Sequence, residues 1–124
     1  MNEKEHTIKS CFSSWINKDR EAFKSSFSPE VTYIESWGPA YGNLKECLNW
    51  FDDWNKINSV IKWDIKDFFH NEDTSFCEWY FECECNGVRE GFDGVSIIKF
   101  DKDNKIIYLK EYQSKIPNFY PYKK

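Results

Sequence analysis

The chain has 124 residues, of which 40% are hydrophobic and 31% charged, and this is the composition of one globular domain. Its net charge is −4 and no basic cluster stands out, which disfavours a nucleic-acid partner, since phosphate contacts need clustered Lys and Arg. No apolar run approaches the length of a membrane span and the first ten residues contain no apolar secretory segment, so we expect a cytoplasmic protein without membrane association.

Aromatic residues and cysteines are the unusual parts of the composition. Aromatics make up 19% of the chain, and such side chains both build a core in a short chain and line ligand pockets. The cysteines are Cys11, Cys47, Cys77, Cys83 and Cys85, an odd number with irregular spacing. This pattern favours free thiols in a reducing cytoplasm over a disulfide framework. It matches no zinc-site spacing, so the sequence predicts no metal.

Helical periodicity dominates the beginning of the chain. Apolar residues at helical spacing predict an amphipathic helix over residues 3–17. Asp19 is suited to cap a second helix, which Pro29 is expected to end. Residues 31–35 are rich in β-branched and aromatic side chains and predict a short first strand.

The rest of the chain changes from helix to sheet. A loop with Gly and Pro over residues 36–42 precedes a third helix, which Asn43 is suited to cap. Alternating polar and apolar residues then predict four strands in a meander. These strands cover residues 61–70, 78–85, 92–100 and 106–114. The aromatic tail over residues 116–122 is expected to fold back onto the domain.

This order of elements predicts one α+β domain over residues 1–124. A strongly curved, cone-shaped, mixed or antiparallel sheet needs cover on its concave face, and three helices from the N-terminal half can supply it. A pocket would remain between the helices and the sheet. The first strand is separated from the others by a helix, so we expect it at the edge of the sheet.

Three segments carry a resemblance to a known family. They are residues 15–23 (WINKDREAF), residues 33–38 (YIESWG), and residues 92–100 (FDGVSIIKF) followed by KII at 105–107. The segments and the order of elements resemble the nuclear transport factor 2-like superfamily, and within it the SnoaL-like and ketosteroid isomerase-like proteins. The similarity covers about residues 8–114 and implies the cone-shaped fold.

The resemblance also suggests which residues act. In ketosteroid isomerases the first strand ends in a catalytic aspartate, and Glu35 falls on that position. The family's oxyanion hole combines a tyrosine on the first helix with a protonated aspartate on the penultimate strand. Phe12 or Cys11, and Ser96, stand at the corresponding places. Neither donor is kept, so steroid isomerase activity is not expected, although a carboxylate base survives.

Two glutamates are candidate catalytic groups on their own chemistry. Glu35 follows an apolar strand, and if it points inward among aromatics, desolvation raises its pKa toward that of a usable base. Glu111 faces the same pocket if Leu109 does, because side chains alternate along a strand. The opposite parity puts the tyrosines of that strand inside instead. Each glutamate has an alternative reading as an exposed or structural residue.

His70 is the third candidate. It closes a predicted strand, and an imidazole there is suited to donate a proton beside Glu35 or Asp67. The alternative reading is a surface histidine with a structural hydrogen bond.

Aromatic side chains are expected to hold the ligand, which would be flat and largely apolar. The alternative is that they only pack the core. With one serine, the candidate ligand-binding residues are Trp15, Tyr33, Trp37, Tyr41, Trp50, Trp54, Trp79, Phe81 and Ser96.

The face of the sheet away from the helices is the other candidate surface. It is polar and rich in tyrosine, and proteins that resemble this chain commonly dimerise through it. Its predicted members are Glu78, Tyr80, Glu82, Tyr108, Lys110 and Tyr112. A merely solvated face is the alternative.

Two classes of function therefore remain open. One is a small-molecule binder or enzyme whose reaction is a proton transfer in an isomerisation, dehydration or cyclisation, with Glu35 as general base. The other is a non-catalytic dimerisation or protein-interaction domain. The chain has no phosphate-binding Gly loop and no dinucleotide fingerprint, so no cofactor is expected.

Overall fold

Three helices and six strands follow one another along the chain in a computed structural model that describes residues 2–123. The helices are α1 (Glu3–Asn17), α2 (Arg20–Ser25) and α3 (Leu44–Ile57). The strands are β1 (Phe27–Ile34), β2 (Ala40–Tyr41), β3 (Asn58–Asn71), β4 (Thr74–Cys85), β5 (Val88–Phe100) and β6 (Ile106–Lys115). No helix in this part of the chain is long and apolar enough to cross a membrane.

Each helix begins where a polar side chain caps it, because the first backbone N–H groups of a helix have no partner within it. Asn2 accepts from the Glu5 N–H, Asp19 from the Ala22 N–H and Asn43 from the Glu46 N–H. The caps predicted at Asp19 and Asn43 are thus confirmed.

The sheet is mixed, with the strand order β2-β1-β6-β5-β4-β3. Strands β3 to β6 form the predicted antiparallel meander, and β1 pairs with β6 in parallel. Strand β1 is not the edge strand, because the short β2 pairs with it and covers its outer side. The α+β cone with helices on its concave face is confirmed.

Several predicted boundaries were wrong. Helix α2 ends at Ser25, and Pro29 lies inside β1. The pairing of β1 with β6 is irregular between Phe27 and Thr32, so Pro29 is outside the regular ladder and its missing N–H costs no regular sheet bond. The tail after β6 is exposed, with Phe119 85% and Tyr122 97% accessible, so it does not fold back onto the domain.

The faces of the sheet follow the predicted alternation on β4, where Trp79 and Cys83 are buried. On β6 the open question of parity is settled in favour of Leu109 and Glu111 facing inward. Ile107 breaks this alternation and is exposed, since the β5–β6 pairing is irregular between Ile106 and Tyr108. Bulges in β3 add to the curvature of the sheet.

Gly94 on β5 makes room for the indole of Trp79. A Cβ at this position would lie 2.3 Å from Trp79 Cη2 and 2.5 Å from the Tyr112 carbonyl oxygen. The ring is buried and its Nε1 donates to Ser96 Oγ at 2.9 Å, so it has little freedom to move away.

We therefore expect Gly94→Ala to destabilise the fold by about 1–3 kcal/mol, because the added methyl overpacks a buried wall. The melting temperature measured by circular dichroism should fall by several degrees. Gly42→Ala is the matched control, since its Cβ would meet only Glu46 Oε1 at 3.7 Å. Equal melting temperatures for the two variants would contradict this account.

Candidate functional site

A cavity of about 390 Å³ lies between α1, α3 and the concave face of the sheet. All six tryptophans of the chain line it. The lining residues are Trp15, Tyr33, Glu35, Ser36, Trp37, Trp50, Trp54, Val60, Trp63, Trp79, Phe81, Cys83, Cys85, Glu90, Phe92, Glu111 and Gln113. A volume of this size is typical of small-molecule sites.

Glu35 enters the cavity from a tight turn after β1. Its backbone N–H donates to the Pro39 carbonyl at 2.9 Å, and Gly38 takes the left-handed φ of 125° that lets the chain reverse there. Tyr41 donates its hydroxyl to Glu35 Oε2 at 2.7 Å, and Trp37 Nε1 donates to Oε1 at 3.1 Å. Burial raises the pKa of Glu35, and these two hydrogen bonds oppose the rise.

Glu111 enters from the neighbouring strand. The parallel register pairs Tyr33 with Leu109, so the next inward residue of each strand is a glutamate, Glu35 on one and Glu111 on the other. Tyr33 donates its hydroxyl to Glu111 Oε2. Burial raises the pKa of Glu111 to about 8, with the charge of Glu35 adding to the rise and bonds from Tyr33 and the Ser36 backbone opposing it.

The two carboxyl groups are held by neutral donors alone. Burial also raises the pKa values of Tyr33 and Tyr41, so both phenols keep their protons and act as donors near neutral pH. Glu111 is itself largely protonated at pH 7, since its pKa lies near 8. The site therefore contains one carboxyl group that can give a proton and a second, Glu35, that two donors help to keep ionised.

Aromatic rings form the walls. The Trp15 ring lies 4.7 Å from that of Trp50 and 5.5 Å from that of Trp54, which joins α1 to α3. On the sheet, the Trp63 ring stands 5.6 Å from Trp79 and 5.0 Å from Phe81. Edge and tilted contacts of this kind stabilise aromatic clusters.

Most of the predicted ligand-binding residues do line the cavity. Two do not: Tyr41 lies behind the wall, stacked on Trp50 at 4.5 Å, and Ser96 is buried under Trp79. Trp37, which follows β1 in the Gly/Pro loop, is 71% exposed and lies at the mouth of the cavity.

The structure does not bring His70 into the cavity. It lies at the turn end of β3, where its Nε2 is 2.7 Å from Glu5 Oε2 and its Nδ1 is 2.7 Å from Ser75 Oγ. The cavity is lined by the opposite end of β3 and β4, near Val60 and Cys85. The predicted partnership between His70 and Glu35 is therefore wrong, because the long hairpin separates the two ends.

Several residues that line the cavity were not among the candidates predicted from the sequence. Trp63 and Cys83 alternate inward on strands that were correctly predicted, so strand parity was the available signal. Glu90 reaches the cavity because β5 starts at Val88, earlier than expected, whereas Phe92 lies within the strand that was predicted. Cys83 and Cys85 have Sγ atoms 3.2 Å apart, but no cluster of three or more His, Cys, Asp or Glu in residues 2–123 is suited to a metal.

The family model described as a SnoaL-like domain matches residues 8–109. The chain belongs to the SnoaL-like domain family. Among curated proteins, no sequence matches this SnoaL-like chain.

Solved structures share the fold of this SnoaL-like protein at low sequence identity. An LEH-like epoxide hydrolase from M. tuberculosis has a TM-score of 0.82 at 11% identity, covering 90% of this chain and 83% of its own. A nuclear transport factor 2-like protein of unknown function from Exiguobacterium sp. 255-15 has a TM-score of 0.76 at 22% identity, covering 88% and 98%. A protein with a ketosteroid isomerase-like fold from Catenulispora acidiphila DSM 44928, in complex with trimethylamine, has a TM-score of 0.77 at 13% identity, covering 87% and 85%.

The buried proton of Glu111 predicts a pH dependence of stability. Because its folded pKa is about 8 and its ordinary value near 4.5, the folded state holds a proton that the unfolded state releases. Its stabilisation is fully present below about pH 4.5 and is lost as the pH rises through 8, at up to about 1.4 kcal/mol per pH unit.

Glu111→Gln should therefore flatten the fall in melting temperature between about pH 5 and pH 8, as measured by thermal denaturation. Part of the slope should remain, because the pKa of Glu35 is also raised. Glu78→Gln, exposed on β4, is the matched control and should follow the wild-type curve. Parallel curves for Glu111→Gln and wild type would show that Glu111 does not hold this proton.

Proposed function

We propose that this SnoaL-like protein binds a small, largely apolar molecule in the aromatic cavity and transfers a proton on it, with Glu35 as general base. The observation that carries the proposal is the meeting of two carboxyl groups, Glu35 and Glu111, in one aromatic cavity. Carboxyl pairs whose environments differ are a recurring arrangement in proton-transfer enzymes.

The roles of the two groups follow from their partners. Glu35 receives two hydrogen bonds that favour its charged form, so it is the base that removes a proton from carbon or oxygen. Glu111, with its pKa near 8, is the acid that returns a proton elsewhere on the ligand. Such a pair serves an isomerisation, a dehydration or a cyclisation equally, because each moves a proton between two atoms of one substrate.

One further observation supports the binding of a small molecule, and a second supports a reducing compartment. The relative from Catenulispora acidiphila is in complex with trimethylamine, a small molecule held by a protein of this fold. All five cysteines of this chain are free thiols, which supports a place in the cytoplasm.

The test begins with a thermal-shift screen against apolar, aromatic, steroid-like and terpenoid compounds. A ligand at about a hundred times its dissociation constant adds roughly 2.7 kcal/mol, which moves the midpoint of a domain of this size by several degrees. Each hit is then incubated with the protein in D2O, and the exchange of its acidic hydrogens for deuterium is followed by NMR. We expect Glu35→Gln to slow this exchange by about 10²- to 10⁴-fold.

Glu30→Gln is the matched control, since Glu30 is an exposed glutamate on β1, the strand that precedes Glu35. This variant should exchange the acidic hydrogens of the ligand for deuterium at the wild-type rate. Exchange at that rate by Glu35→Gln would overturn the assignment of Glu35 as base. A screen without a hit, together with a Glu35→Gln variant that melts as wild type does, would favour the interaction-domain function.

A second function, homodimerisation through the outer sheet face, is favoured by apolar exposure there. The sheet register supports one shared face for Glu78, Tyr80, Glu82, Tyr108, Lys110 and Tyr112, the set that we call the outer face. Tyr112 is 45% exposed, and Phe69 on β3 is 57% exposed. Large exposed side chains of this kind are typical of interfaces.

We expect light scattering to give a dimer mass for the wild type and a monomer mass for Tyr112→Lys, because a second ammonium beside Lys110 would be desolvated in the interface. Lys24→Glu on α2, an exposed charge change away from the sheet, should leave the mass unchanged. A monomeric wild type would rule out this interface.

A further inference from the structure

The tryptophans of the chain are concentrated around one cavity in a way that core packing does not require. All six line it, whereas the exposed tail and the outer face use Tyr and Phe. Indole has the strongest attraction for cations of the three aromatic rings, since its face carries the most negative potential. A cage with several indoles is therefore suited to a positively charged group.

The charged side chains around the cavity also favour a positively charged ligand. Three carboxyl side chains line it, those of Glu35, Glu90 and Glu111. Among its lining residues within the described chain none is Lys, Arg or His, although the chain has 17 Lys and Arg in all. An anionic ligand would meet three acidic groups and no basic one in this cavity.

Within residues 2–123 these acidic groups also have no ion-pair partner. The ion pairs among residues 2–123 involve other residues, such as Arg20 with Asp52 and Lys66 with Asp93. The side chains that donate to Glu35 and Glu111 are the neutral Trp37, Tyr41 and Tyr33. A buried carboxyl without a cation is unfavourable in its charged form, and a cation in the cavity would relieve this.

We infer that the ligand of this cavity is an organic cation, a compact apolar molecule with a tertiary or quaternary ammonium group held against the indole faces and beside Glu111 and Glu35. The inference rests on the proposed small-molecule function and names its ligand class. An ammonium with alkyl substituents sheds water more easily than a primary amine or a metal ion, and so fits an aromatic cavity of about 390 Å³.

Three probes of one size separate charge from shape. They are benzyltrimethylammonium, its neutral carbon isostere neopentylbenzene, and the anion phenylmethanesulfonate. Binding to the wild-type protein is measured by titrating the tryptophan fluorescence, which reports on the cavity because every tryptophan lines it. We expect the cation to bind about tenfold more tightly than the neutral isostere and the anion not to bind.

Variants of residues that line the cavity then test whether these side chains cause the preference for the cation. Glu111→Gln and Trp54→Leu should each reduce the preference for the cation over its isostere several-fold, while Trp54→Phe should keep most of it. Glu30→Gln, at an exposed position of β1 outside the cavity lining, is the matched control and should leave the preference intact. Melting curves of every variant are recorded, and the wild-type comparison of probes needs no variant at all.

The outcomes separate this inference from the proposed function. If the neutral isostere binds as tightly as the cation, the inference is overturned while small-molecule binding in the cavity stands. If none of the three probes binds, the inference fails together with the proposal of an open ligand cavity. Loss of the cation preference in Glu30→Gln, or its full retention in Glu111→Gln, would also overturn it.

Discussion

Two carboxyl groups meet in an apolar interior because β6 lies parallel to β1, and much of the molecule accommodates that meeting. Burying a charge costs free energy unless the group is paired or neutralised. The chain does both without a basic residue: Glu111 keeps its proton near neutral pH, and Glu35 receives hydrogen bonds from Tyr41 and Trp37. The short β2 has its place in this arrangement, because it pairs with β1 and brings Tyr41 to Glu35.

The aromatic residues both pack the core and line the cavity. Trp15 and Trp79 are almost fully buried, yet both also line the cavity, so each has one side against the core and another toward the ligand space. Interiors pack densely, and an open space among large rings persists only where their positions are fixed. Gly94 shows how closely this is done, since even one methyl group there would collide with Trp79. The same rings that stabilise the fold thereby determine the shape and the electrostatics of the site.

The inner and outer faces of the sheet differ in the groups that contact their carboxylates. Outside, acidic groups have basic neighbours, as in the contact of Lys66 with Asp93 at 3.0 Å. Inside, the carboxyl groups have only neutral donors. The cavity and the outer face are therefore chemically independent, so that a ligand inside and a second copy outside are compatible in one molecule. In such an assembly Tyr112 and Glu111, adjacent on β6, would serve the two faces.

Local patterns in the sequence were sufficient to predict the secondary-structure elements and the family resemblance. Helical and alternating periods, together with caps such as Asp19 and Asn43, specify helices and strands because they depend on neighbours in the chain. The inward set of β4 was predicted from its alternation, and Glu35 from its place after an apolar strand and from the family resemblance. The parity of β6, the place of Pro29 inside β1 and the separation of His70 from the cavity became visible only in the folded molecule. These depend on bulges, on the parallel pairing of β1 with β6 and on the length of the β3–β4 hairpin, which are contacts between residues far apart in sequence. Local pattern carries no information on such contacts, since a one-residue change of register reverses every side chain of a strand.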